Sequence, residues 1–192
     1  MNKNGRRIKK LRVLAQDPKV DLWALDEVHF QQHGSRCQMW VPPEITDPVC
    51  LHHPTRKSVG YFGAVRLRDG KLLIQREENK FNGQTFWNFL QQLEIVSKRK
   101  GQKIALITDN ARYHHAKMHR LWRQQHAPMF TLNYLPPYSP DFNPIERVWK
   151  LTRKLRIHDQ YFSTLTDVIV AVEDQFAQWR EKSETLRMLC TI

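Results

Sequence analysis

Apolar and polar residues nearly alternate from Val20 to Phe30 (VDLWALDEVHF), the period-two pattern of a strand with two differently exposed faces. Val59–Leu67 and Leu72–Ile74 flank Arg68-Asp69-Gly70, and Asp-Gly tolerates positive φ, so this stretch predicts a β-hairpin. Gln38–Val41 predicts a further short strand, stopped by Pro42-Pro43. The period then changes. Phe86, Phe89, Leu90, Leu93 and Val96 recur at helical spacing, and Lys98, Arg99 and Lys100 before Gly101 mark the end of that helix. Ile104–Thr108 (IALIT) is a continuous apolar run suited to a central strand buried on both faces, and it stops at Asp109-Asn110. Met118, Leu121 and Trp122 predict a short helix, and Met129–Leu135 another strand. Leu165, Val168, Ile169, Val172, Phe176 and Trp179 make the apolar stripe of a long closing helix. Strands come first and β and α then alternate, which predicts a mixed α/β architecture.

One stretch breaks this rhythm. Leu135 to Trp149 (LPPYSPDFNPIERVW) holds four of the chain's ten prolines. Proline fixes φ and disfavours helix in the residue before it, so the chain should stay extended or turning to Phe142. Asn143 then fits a helix N-cap and Pro144 the first helical position, with Glu146 in the first turn of a helix running to about Arg156. Along it Val148, Thr152 and Leu155 share the face predicted to be buried. Lys150 and Arg153 follow Glu146 at i+4 and i+7 on another face, and Arg147, Lys154 and Arg156 add charge. That basic face is either solvated surface or a track for a nucleic-acid backbone. Trp149 and Trp122 are expected in the core.

Composition narrows the partners. A formal charge of +12 over 192 residues and a pI near 9.9 favour a polyanion. No apolar run reaches the roughly 18 residues of a membrane span, and no amphipathic basic helix stands out, so nucleic acid is preferred over a membrane surface. The length suits one domain, residues 19–192, preceded by a basic segment 1–18 carrying Lys3, Arg6, Arg7, Lys9, Lys10 and Arg12 before the turn signal Asp17-Pro18. This segment is a solvated arm, a short helix or a DNA-contacting arm. Basic residues without a following apolar segment argue against a secretory signal. Three cysteines without paired spacing suggest a reducing, cytoplasmic setting. His29, His33 and Cys37, and Cys50 with His52 and His53, lack a recognised zinc spacing.

Three acids fall where such a fold can bring them together: Asp26 on the first strand, Asp109 at the end of the apolar strand, and Glu146 in the first helical turn after the prolines. Hard cations such as Mg²⁺ take oxygen ligands, and two such ions can activate an attacking oxygen and stabilise a leaving one in phosphodiester displacement. Each acid alone has a plainer reading. Glu146 could close a capping box on Asn143, Asp109-Asn110 could be an ordinary turn, and Asp26-Glu27 a solvent-facing pair on an edge strand.

The neighbouring residues carry a resemblance. TDNARYHHA around Asp109 and LPPYSPDFNPIERVWK around Glu146 resemble the catalytic signatures of mariner-like transposases, in particular their bacterial insertion-sequence branch, and LDEVHF around Asp26 resembles the first acidic motif. The similarity covers roughly residues 20–157. It implies a ribonuclease H-like fold, a central mixed sheet flanked by helices, with Asp26, Asp109 and Glu146 binding two Mg²⁺ or Mn²⁺. It also implies excision and insertion of transposon DNA, typically at TA, by water attack and then attack of the freed 3′-OH, and action as a dimer. Asn110, His114 and Asn143 would be hydrogen-bonding neighbours of the triad. Arg6, Arg7, Lys9, Lys10, Arg147, Lys150, Arg153 and Lys154 are DNA-contact candidates.

Full-length members of that family carry helix-turn-helix modules ahead of the catalytic domain, and only about twenty residues precede the first strand here. The expectation is a catalytic half that works with an upstream-frame helix-turn-helix protein. The rival expectation is a remnant that binds DNA or dimerises without catalysis. A third is a ribonuclease H-like nuclease acting on RNA or hybrids.

Overall fold

The computed structural model describes residues 3–33, 42–44, 55–97, 101–137 and 139–192, with side chains from residue 9 onward. The expected strand at 38–41, Cys37, Cys50, His52, His53 and the side chains of Arg6 and Arg7 lie outside the described residues. Helix α1 (Lys3–Gln16) precedes strand β1 (Val20–Gln31). There follow β2 (Ser58–Arg66), β3 (Leu72–Glu77), α2 (Gly83–Ser97), β4 (Lys103–Thr108), α3 (Arg120–His126) and β5 (Phe130–Tyr134). Helices α4 (Ile145–Arg156), α5 (Leu165–Trp179) and α6 (Glu184–Leu189) complete the chain. Five strands form one mixed sheet in the order β3-β2-β1-β4-β5, antiparallel through β3, β2 and β1, with β4 and β5 parallel to β1.

Alternation along β1 separates two cores. Leu22, Ala24, Val28 and Phe30 face α4, α5 and α6, packing with Val148, Trp149, Val172 and Phe176. Trp23 and Leu25 face the other side, against Phe62 of β2 and Phe86, Phe89, Leu90 and Leu93 of α2. α1 does not stand free: Leu11 is buried and Leu14 packs against the first of these cores, leaving Lys9 and Lys10 exposed on a docked helix. All five residues of the IALIT run are buried, as an inner strand requires. Among the described residues no helix is long and apolar enough to cross a membrane.

Four details depart from the sequence expectation. Val96 is exposed and Ser97 takes the inner position one turn after Leu93, because 3.6 residues per turn carries the buried stripe to i+4 there. Met118 and Leu121 are exposed, since residues 112–119 form two short 3₁₀ turns that direct His114 and His119 inward instead. Leu155 is exposed; Ile145, Val148, Trp149 and Thr152 make the buried face of α4. Asp26-Glu27 lies on the middle strand of the sheet, not on an edge.

The hairpin turn carries its own ion pair. Gly70 has φ +68°, and Arg66 Nε and Nη2 donate to the two carboxylate oxygens of Asp69, each at 2.8 Å, while Nη1 reaches the buried Asp21 at 3.3 Å. Burial alone would raise the Asp69 carboxyl, but the Arg66 bonds outweigh it and hold it below the usual range. A carboxyl with a lowered folded-state pKa contributes stability that is complete above its unfolded value and lost as pH falls through the folded one. Asp69→Asn should therefore lower stability at neutral pH and flatten its acid limb below about pH 4. Urea unfolding midpoints from pH 7 to pH 3 measure it.

Candidate active site

Strand register sets the site. Ala24 of β1 pairs with Ile107 of β4, so Asp26 and Asp109 each lie two residues further along parallel strands, at the same level. Thr108 pairs with Tyr134, and the Leu135 N–H donates to Thr108 O at 2.8 Å, bringing the start of the proline segment level with Asp109. This is the crevice beyond the carboxyl ends of parallel strands, where open α/β sheets place ligands. Asn110 Nδ2 donates to Leu135 O and ties the two lips together.

The proline segment then turns back to β1. Pro140–Phe142 form a 3₁₀ turn, and Asn143 N donates to Pro140 O at 2.8 Å. Asn143 is extended (φ −91°, ψ 109°), and Pro144 already has helical angles (φ −57°, ψ −30°). The backbone thus follows the expected boundary, but the Asn143 side chain makes no cap. Its Nδ2 donates instead to Leu25 O at 2.9 Å, pinning the segment beside Asp26. The capping-box reading of Glu146 is corrected because the Asn143 N–H it needs is given to Pro140 O, and the Glu146 carboxylate is left to the cavity.

Helix α4 is seated by Trp149, three residues after Glu146. A Cβ placed on Gly63 would lie 2.3 Å from Trp149 Cη2, and Gly63 is the cross-strand partner of Asp26. Only glycine admits the indole there, so the helix lies flat on the sheet beside the first acid.

The result is one cavity of about 470 Å³ lined by Asp26, Asp109 and Glu146 together with Asn110, Asn143 and the proline segment. Burial, then the charges of Glu27, Glu146 and Asp109, push the Asp26 carboxyl up to about 8. Asp109 is held below the usual range, chiefly by its hydrogen bond from His114.

His114 sits behind this cavity, fully buried. Burial would lower it, but its bonds to Asp109 and Glu27 prevail and raise it to about 9. Glu27, Asp109 and His114 form a compact cluster of ligand-type atoms, of which sequence reasoning missed Glu27. The available signal was alternation: the residue after Asp26 must face the opposite side of β1.

The basic candidates separate. Lys150 and Lys154 are exposed on α4. Arg153 is half-buried with its guanidinium 5.4 Å from the Phe30 ring centre. Arg147 Nη1 donates to Leu189 O and Thr191 O, fastening the end of the chain onto α4. Lys10 Nζ donates to Asn133 Oδ1 of β5. Residues 110–140 contain no acid while Arg112, Lys117, Arg120 and Arg123 lie among them, a basic flank that a charge count along the sequence could have found.

The sequence model of one family, described as DDE superfamily endonuclease, matches residues 21–169, well over half of the chain. No curated protein matches. Among solved structures, the Mos1 transposase paired-end complex with left transposon end aligns with TM-score 0.67 at 16% identity, covering 99% of this chain and 60% of that one. The Mos1 mariner paired-end complex with Mn aligns at 0.66 and 15%, covering 99% and 60%. The catalytic domain of Mos1 mariner transposase aligns at 0.62 and 15%, covering 99% and 88%. The fold is the ribonuclease H-like fold of that catalytic domain, and the chain spans about three fifths of the longer transposase chains.

Proposed function

The chain belongs to the DDE superfamily endonucleases, and from that premise we propose that it is the catalytic domain of a mariner-like transposase, cleaving and joining DNA strands with divalent metal. The observation that carries this reading is the convergence of Asp26, Asp109 and Glu146, from a strand, a strand end and a helix turn, on one cavity. The donor set fits Mg²⁺ or Mn²⁺: it is all oxygen, and Asp26, raised first by burial and then by Glu27, also feels the charges of Glu146 and Asp109. Asp26, Asp109 and Glu146 would hold two ions. When bound, these supply Lewis-acid activation of the attacking oxygen and stabilisation of the leaving one.

The residues of the chain do the rest by placement. Acids on a strand, at a strand end and on a helix pinned by Asn143 and Trp149 need no rearrangement to converge. Asn110 holds the mouth of the cavity at a fixed width. In the first reaction water attacks phosphorus and the P–O3′ bond breaks, leaving a 3′-OH and a 5′-phosphate. In the second that 3′-OH attacks target DNA and displaces another 3′-oxygen. No protein nucleophile enters either step.

Exposed Lys150 and Lys154 on α4 and Lys9 on α1 would meet the DNA backbone. Lys150→Glu and Lys154→Glu should each reduce the slope of log affinity against log salt by about 1. Filter binding from 50 to 200 mM salt measures this. End recognition is assigned to an upstream-frame helix-turn-helix protein, insertion to TA sites, the working unit to a dimer, and the location to the cytoplasmic nucleoid.

The test is a labelled duplex bearing the element's terminal repeats, incubated with Mg²⁺ and the chain, with and without the upstream product. Metal-dependent nicks and joined products are expected. DNA retention without any metal-dependent product would favour a non-catalytic remnant. Cleavage of RNA·DNA but not DNA would favour a ribonuclease H-like nuclease.

A further inference from the structure

Asp109 Oδ1 has two neighbours of donor type, and His114 Nδ1, one of them, also meets the Asp109 main-chain O at 3.3 Å and Thr108 Oγ1 at 3.2 Å. Ala111 N–H donates to Oδ1 at 3.0 Å and His114 Nδ1 approaches it at 2.9 Å, while Oδ2 takes neither. On the far side of the imidazole, His114 Nε2 meets Glu27 Oε1 at 3.0 Å. Ionised carboxylates only accept, so a ring nitrogen that bonds one of these acids does so as a donor. Around this row the packing is closed. The His114 ring lies 4.1 Å from Phe86 and 4.6 Å from Tyr113, centre to centre, and its carbonyl accepts from the Tyr134 hydroxyl at 3.1 Å and from Arg123 Nη1 at 3.3 Å.

Glu27, His114 and Asp109 could be taken for a metal site of their own. The geometry argues otherwise, because the two imidazole nitrogens diverge and each is already spent on a carboxylate. A cation between His114 and either acid would have to displace one of these contacts.

We propose that Glu27 is a positioning residue for the site: through His114 it fixes the rotamer of Asp109, holding Oδ1 from behind and presenting Oδ2 to the cation. The inference rests on the metal-dependent reading of the three acids given above. Glu27 never meets substrate. It acts from the opposite face of β1, reaching around the end of β4 by way of the imidazole. Outer partners of metal-holding groups act in this way, and losing one typically costs 10–100-fold in affinity or activity.

The experiment measures Mn²⁺ binding by electron paramagnetic resonance, DNA retention and single-turnover nicking on wild type, Glu27→Ala, Glu27→Gln, Asp109→Asn and the Glu27→Ala/Asp109→Asn double variant. Glu27→Ala should raise the Mn²⁺ dissociation constant about tenfold or more and slow nicking in parallel, with DNA retention unchanged. Glu27→Gln, whose amide oxygen still accepts from Nε2, should recover most of the loss. In the Asp109→Asn background Glu27→Ala should weaken Mn²⁺ binding no further, the signature of action through one residue. His114→Phe, which matches its aromatic surroundings, should reproduce Glu27→Ala if the alanine variant does not fold. Wild-type Mn²⁺ binding with equal binding and nicking in Glu27→Ala or His114→Phe would overturn the positioning role alone. Failure of wild type to bind Mn²⁺ would overturn the reading beneath it as well.

Discussion

Asp109→Asn is expected to lower Mg²⁺-dependent nicking by about a thousandfold or more, the loss of several kcal/mol of charge stabilisation at about 1.4 kcal/mol per factor of ten. Its folding should barely change. The Asp109 side chain is 52% exposed, so replacing it disturbs little packing. An asparagine Oδ1 can still accept from Ala111 N–H, the bond that shapes the turn after β4. What the amide cannot supply is the second anionic oxygen for a cation. A gel assay on supercoiled DNA, with a melting curve on the same sample, separates the two effects. A folded variant that nicks at the wild-type rate would remove Asp109 from the chemistry.

The second large effect concerns the seat of Glu146. Trp149→Ala is expected to cost about 3–5 kcal/mol, the range for truncating a large aromatic side chain in a core. Trp149 is 1% exposed, its indole fills the space over Gly63, and its ring packs 6.2 Å from Phe176. Among the described residues its Nε1 has no hydrogen-bond partner, so the contribution is packing and Trp149→Phe should recover much of it. Gly63→Val attacks the same contact from the sheet. With Cβ 2.3 Å from the indole, backbone or helix must move, and α4 carries Glu146 with it. Urea unfolding measures the first, and nicking by the refolded Gly63→Val protein the second. A Trp149→Ala cost below about 1 kcal/mol would mean that α4 is held elsewhere.

These two positions show what the sequence disclosed. Alternation placed β1, the Asp-Gly turn β2 and β3, a continuous apolar run β4, helical spacing α2 and α5, and the prolines the start of α4, because burial and turn chemistry write themselves into local sequence. The three acids were legible as candidates because Asp109 ends an apolar run and Glu146 follows prolines that fix its helix start. Of their neighbours, His114 was named and does meet Asp109, but the partners of the others were not legible. Asn143 has the right identity and position for a helix cap, yet spends its amide on Leu25, a strand 118 positions away. Met118 and Leu121 fit a helical stripe, yet the intervening 3₁₀ turns bury His114 and His119 instead. Glu27 depends on the second of these: its partner is within reach because the chain after Asp109 turns tightly enough to drive His114 under β1. Local pattern encodes which side is buried. It does not encode which distant polar group a side chain will meet there.

The central claim is that Asp26, Asp109 and Glu146 form one metal-holding site. The most direct measurement is anomalous X-ray diffraction from crystals grown with millimolar Mn²⁺. Difference peaks within direct ligand distance of those three carboxylates, absent in Asp109→Asn crystals, are predicted. No peak there, or a peak seated instead between Glu27 and His114, would contradict it.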